Sequence, residues 1–98
     1  MFEKLKQFKD LRNQAKTLQE TLKTVTVHAD ADGGKVQVVM DGNQQIIGLE
    51  IDPEYLHAAK QEELQKHIAE AVNSAVKKSQ IEMAKKVKEM NISLPPGF

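Results

Sequence analysis

The chain has 98 residues, 40% of them hydrophobic and 29% charged, with 14 Lys/Arg balanced by 14 Asp/Glu. That length supports one modest core, and the neutral total means net charge alone points to no polyanion partner. There is no Cys, which excludes disulfides and thiolate chemistry, and three Phe, one Tyr and no Trp argue against base-stacking platforms.

The start, Met1-Phe2-Glu3-Lys4, opens straight into an amphipathic pattern with no signal-peptide core. No run reaches membrane-spanning length, so a cytoplasmic, non-membrane protein is the expectation. Residues 1–24 predict a helix. Phe8, Leu11, Ala15, Leu18, Leu22 and Val25 follow at steps of 3 and 4, an a/d seam. Lys9, Lys16 and Lys23 share one heptad position beside that seam, with Lys6 and Arg12 close by. Phe2 and Leu5 lie off the seam on the basic side.

Residues 25–52 predict a three-stranded antiparallel meander. Val25, Val27, Ala29 and Ala31 alternate with polar residues, the period of a half-buried strand. Gly33-Gly34 then supplies the positive φ of a two-residue hairpin, setting Ala31 opposite Val36 and Val27 opposite Met40. For the second hairpin, Gly42-Asn43 as the loop sets Val38 against Ile47, Val36 against Leu49 and Val39 against Ile46; a four-residue loop over 42–45 also keeps the faces. The predicted inner face is Val25, Val27, Ala29, Val36, Val38, Met40, Ile47, Leu49 and Ile51, with Val39 and Ile46 a small apolar spot behind it.

Residues 53–59 read as a turn, with Tyr55 and Leu56 tucked into the core, and residues 60–90 as a second helix. Its apolar line is Leu64, Ile68, Val72, Val76, Ser79, Met83, Val87 and Met90, widened by Ala71 and Ala75. On the opposite face Lys77, Lys78, Lys85 and Lys88 surround Ile81. Residues 91–98, ending Leu94-Pro95-Pro96-Gly97-Phe98, read as an extended tail.

Charge is sorted along these elements. Residues 1–24 carry six basic and three acidic side chains (+3), residues 25–56 one and six (−5), and residues 57–98 seven and five (+2). His28, His57 and His67 lack metal-ligand spacing, and no phosphate-binding loop or nucleophile motif is present, so no enzyme activity, cofactor, metal or small-molecule substrate is expected. Three strands about 4.8 Å apart cannot cover two such long helical seams, so a homodimer is expected, with Val25, Val27, Val36, Val38, Ile47, Leu49 and Ile51 as its central apolar set.

The order of helix, meander, Ile51-Asp52-Pro53, a long helix containing Ala71-Val72-Asn73-Ser74-Ala75, and the Leu-Pro-Pro-Gly-Phe ending resembles the YbaB/EbfC family of bacterial nucleoid-associated proteins over essentially the whole chain. The resemblance implies an α+β fold, a tweezer-like homodimer in the cytoplasm and nucleoid, and helical arms that bind double-stranded DNA with weak sequence preference, shaping the nucleoid or influencing transcription. Two features depart from the family: no Gly/Met-rich segment precedes the first helix, and the strands are acidic. The basic stripes themselves supply the DNA-binding candidates: Lys4, Lys6, Lys9, Arg12, Lys16, Lys77, Lys78, Lys85, Lys86 and Lys88. The alternative is a protein-interaction module, like a prefoldin-type chaperone subunit, working through the exposed apolar residues Phe2, Leu5 and Ile81.

Overall fold

The computed structural model describes the backbone of residues 2–91 and the side chains of residues 6–91. The side chains of Phe2, Lys4 and Leu5 and the tail over 92–98 therefore lie outside the described residues. The elements run α1 (Phe2–Lys23), β1 (Thr26–Ala31), β2 (Val36–Asp41), β3 (Ile46–Ile51) and α2 (Gln61–Glu89). Short 3₁₀ turns at Pro53–Tyr55 and Ala58–Lys60 lead into α2. The α+β fold expected from the sequence is the one observed.

The strands form one antiparallel sheet in the order β1-β2-β3. The first hairpin has the predicted register, with Ala31 opposite Val36, Ala29 opposite Val38 and Val27 opposite Met40. Gly33 at φ 65 and ψ 28 and Gly34 at φ 91 supply the positive pair that a type I′ turn demands.

The second hairpin differs from the two-residue loop favoured by pattern. Val36 pairs with Ile51, Val38 with Leu49 and Val39 with Gly48, the register of the longer loop. A bulge follows, so that Ile46 and Ile47 together oppose Met40. Gln44 takes φ 63, and Asp41 and Gln45 close the turn through Asp41 N–H donating to Gln45 C=O at 2.9 Å. The Asp41 carboxylate accepts from the Asn43 and Gln45 N–H groups at 2.8 and 3.0 Å, which satisfies both donors inside the turn. The Val39–Ile46 spot is accordingly absent: Val39 faces Gly48, and Ile46 sits beside Met40.

α2 lies across β1 and β2. Its buried line is Ala71, Ala75 and Ser79, each fully covered, so the backbone approaches the sheet closely. Val27, Ala29, Ala31, Val36, Val38, Met40 and Tyr55 fill the core beneath it, with Leu64, Ile68, Val72 and Val76 packed at its margin. The β3 part of the inner face stays open, leaving Ile47 57% and Leu49 48% exposed. Leu56, expected in the core, is exposed; Tyr55 alone turns inward.

α1 does not cover the sheet. Its Leu18 and Leu22 are buried near the β2–β3 turn, while Phe8 is 74% exposed. The Gly42 N–H donates to Leu22 C=O at 2.9 Å and the Asn43 amide to Gln19 C=O at 3.0 Å, so the turn is hydrogen-bonded to the last turns of α1. The molecule is elongated, 64 × 21 × 18 Å, with a radius of gyration of 18.2 Å, against roughly 13 Å for a compact chain of this length.

Candidate functional site

Chain direction places the two cationic stretches at one end. α1 reaches the sheet at Leu22, beside the β2–β3 turn. α2 leaves the sheet at that same end, where the Ser79 hydroxyl donates to Asp41 C=O at 2.9 Å. The N-terminal part of α1 and the second half of α2 therefore project together as an arm. Asp30, Asp32, Glu50, Asp52 and Glu54 lie toward the other end, around the β1–β2 turn and the exit of β3. Of the acids in residues 25–56, Asp41 lies at the arm end and is buried within its turn; the arm's own helices carry Asp10, Glu20, Glu82 and Glu89 among their basic residues.

On α1, Lys6, Lys9, Arg12 and Lys16 are all exposed. By helical spacing Lys6, Lys9 and Lys16 stand on the side of α1 turned away from Leu18 and Leu22, with Arg12 on its flank and Lys9 and Lys16 seven residues apart on one face. Lys4 belongs to the same run, but its side chain is outside the described residues. The α2 candidates divide. Lys77, Lys85 and Lys88 are exposed on the side turned from the sheet. Lys85 makes a surface ion pair with Glu82 at 3.3 Å. Such a pair contributes about 0–1 kcal/mol and yields readily to a phosphate. Lys86 is seven residues beyond Ser79, hence on the core side; it is half-buried and paired with Glu89 at 3.2 Å.

Lys78 has another task. Its Nζ donates to His28 C=O at 2.6 Å, on the outer edge of β1. A lysine occupying an unpaired strand carbonyl blunts that edge against further strand pairing.

The apolar set expected at a dimer centre divides as well. Val27, Val36 and Val38 are buried in the chain's own core, Val25 and Ile51 are half-buried, and Ile47 and Leu49 are exposed. Val72 and Val76 emerge on the flank of α2 away from Lys78, facing the β3 side. Ile47 and Leu49 on β3 are thus exposed, and Val72 and Val76 on α2 half-buried, on the side of the molecule away from Lys78.

The acidic end is held by a polar latch that the sequence reading did not find. The Tyr55 hydroxyl donates to the Asp32 carboxylate across the core's rim. This bond holds Asp32 below the usual carboxylate range, helped by Lys35, His67 and Lys60. It also pushes the Tyr55 phenol up to about 12. The Tyr55 ring meets His67 edge-on at 5.7 Å, and Lys60 Nζ sits 5.7 Å from its centre. Glu54 bridges Lys35 at 3.0 Å and Lys60 at 3.2 Å and is itself held below its ordinary value by those hydrogen bonds. The latch ties the β1–β2 turn to the start of α2. An aromatic directly after the strand exit was its only sequence signal.

Among the described residues no three His, Asp or Glu side chains gather to hold a metal ion, and no helix is long and apolar enough to cross a membrane. The fold and site thus define an elongated α+β scaffold presenting a basic two-helix arm. The chain belongs to the YbaB/EbfC DNA-binding family, whose model matches residues 1–94. It is 36% identical over its whole length to a nucleoid-associated protein of Pelotomaculum thermopropionicum, spanning 95% of that protein. It is 36% identical over 92% of its length to one of Acinetobacter baumannii, of which 84% is covered, and 32% identical over 99% to one of Dictyoglomus thermophilum, of which 95% is covered. An uncharacterized protein from Helicobacter pylori shares the fold at a TM-score of 0.74 and 22% identity, over 94% of this chain and 98% of that one.

Proposed function

We propose that this protein is a non-enzymatic, nucleoid-associated DNA-binding protein that grips duplex DNA as a homodimer through phosphate contacts. The observation that carries the reading is the segregation of charge: cationic helix faces project at one end, and most of the carboxylates of the strand region lie at the other. Lys6, Lys9, Arg12 and Lys16 of α1 and Lys77, Lys85 and Lys88 of α2 are the contacting groups, with Lys4 completing the α1 run. Phosphate contacts position a protein without reading sequence, so weak sequence preference follows. The acidic end keeps the body clear of the duplex, which is how a neutral chain can still bind a polyanion. Family membership and the names of its relatives support the same reading, and with it a place in the nucleoid.

The dimer reading is supported by the large apolar side chains left exposed on β3 and just after it. Ile46, Ile47, Leu49 and Leu56 are each roughly half exposed or more, large apolar side chains along β3 and beyond its exit that a partner surface would take out of water. A second copy seated there covers Val72 and Val76 as well. The β1 edge, blunted by Lys78, stays outside the contact. Two arms then project from one hub.

The test is a duplex-DNA titration at about 50 mM salt, a regime in which phosphate contacts are strong, with the solution mass measured in parallel. A dimeric mass and a shifted duplex are expected. A dimer that leaves the duplex unshifted while suppressing aggregation of an unfolded client would instead establish the protein-interaction alternative.

A further inference from the structure

Ile81 is an anomaly on α2. It is 55% exposed and sits away from the sheet, and its neighbours three and four residues away along the helix are Lys77, Lys78, Lys85 and the small Ala84. Lys77, Ile81 and Lys85 follow at steps of four, forming one row along the helix, with Lys88 one turn further on. A face serving only to carry charge gains nothing from an isoleucine in the middle of it. Nor does the residue belong to the dimer surface: Val72 and Val76 emerge on the other flank of α2, whereas Ile81 is on the side of Lys78. A protein partner presenting apolar surface to Ile81 would have to desolvate the surrounding ammonium groups, a cost that a row of phosphates does not impose.

Resting on the DNA-binding reading above, we infer that Ile81 is the apolar contact of the α2 face, seated against sugars and base edges in a duplex groove. Lys77, Lys85 and Lys88 hold the flanking phosphates. The lysine stems carry their charge outward from the helix, so phosphates to either side bring the groove floor toward the shorter isoleucine. An apolar side chain pressed against base steps unstacks them and bends the duplex. Ile81 therefore contributes an affinity component that does not depend on salt, and a bend that the lysines alone do not produce.

The experiment compares wild type, Ile81→Ala, Ile81→Leu and Lys77→Gln in the full-length protein on a duplex end-labelled for energy transfer, across a salt series. Ile81→Ala is expected to weaken binding by roughly fivefold to tenfold at every salt concentration, the scale of one partly buried aliphatic side chain. Its slope of log K against log[salt] stays parallel to wild type and the end-to-end shortening of the duplex is lost. Ile81→Leu retains both, and Lys77→Gln flattens the slope while keeping the bend. Equal affinity and equal bending for Ile81→Ala and wild type would overturn the inference and leave the DNA-binding reading standing. A change in dimer mass without a change in affinity per dimer would overturn it too. Failure of wild type itself to bind at low salt would refute the underlying reading.

Discussion

The Gly42 N–H donates to the C=O of Leu22 at 2.9 Å, and that bond joins the arm to the sheet. A Cβ on residue 42 would lie 2.8 Å from Leu22 Cδ2 and 2.9 Å from its carbonyl oxygen. Backbone cannot yield as a side-chain tip does, so Gly42→Ala must push α1 off the turn. We expect a loss of about 1–3 kcal/mol, with faster amide exchange over the C-terminal half of α1 and none over β1. Uniformly faster exchange across the sheet would show that α1 is not docked independently.

The Tyr55–Asp32 latch makes stability depend on pH at both extremes. Asp32 and Glu54 have folded pKa values below their ordinary ones. Their contribution is fully present above the unfolded carboxylate range and is lost as pH falls through the lowered values. Tyr55 is raised to about 12 from 10.0, so its contribution is fully present below pH 10 and is lost as pH rises through 12. Chemical denaturation of Tyr55→Phe across pH should show a shallower acid limb, because Asp32 loses the hydrogen bond that lowers it, and no phenol-linked alkaline limb. Superimposable profiles for variant and wild type would mean that the latch does not link protons to folding.

Leu49 is 48% exposed and lies outside the buried core. Leu49→Glu should therefore spare the monomer's fold while placing a charge in the proposed contact, where desolvation is costly. Sedimentation should report a monomer with unchanged helical circular dichroism, and weaker DNA binding because two arms no longer act together. A variant that stays dimeric would move the interface elsewhere.

Legibility from sequence followed how local the determining physics was. Gly33-Gly34 announces its turn, although Asp32 beside it also takes a positive φ of 51, and the β1–β2 register was readable to the residue. The second turn relies on Gln44 in a left-handed conformation and on a bulge at Ile46-Ile47. Neither has a glycine to announce it. In α2 the largest apolar residues were read as the centre of the buried face, yet Ala71 and Ala75 occupy it, since close helix–sheet approach selects for small side chains. The bulky Val72 and Val76 flank it, half-buried at the margin of the core. The basic residues were visible as a pattern. That Lys78 caps a strand edge and that Lys86 turns inward were not, because both depend on where the sheet lies beneath the helix.

The central claim, that the projecting helices bind phosphates, is tested most directly by the salt dependence of duplex binding. Each phosphate neutralised contributes about −0.9 to the slope of log K against log[salt]. Replacing Lys9, Lys16, Lys77 and Lys88 together by Gln, all exposed positions, should flatten that slope by several units in the dimer and leave its melting temperature within a few degrees of wild type. A steep slope that survives the fourfold replacement would contradict the account and place the DNA contact elsewhere on the molecule.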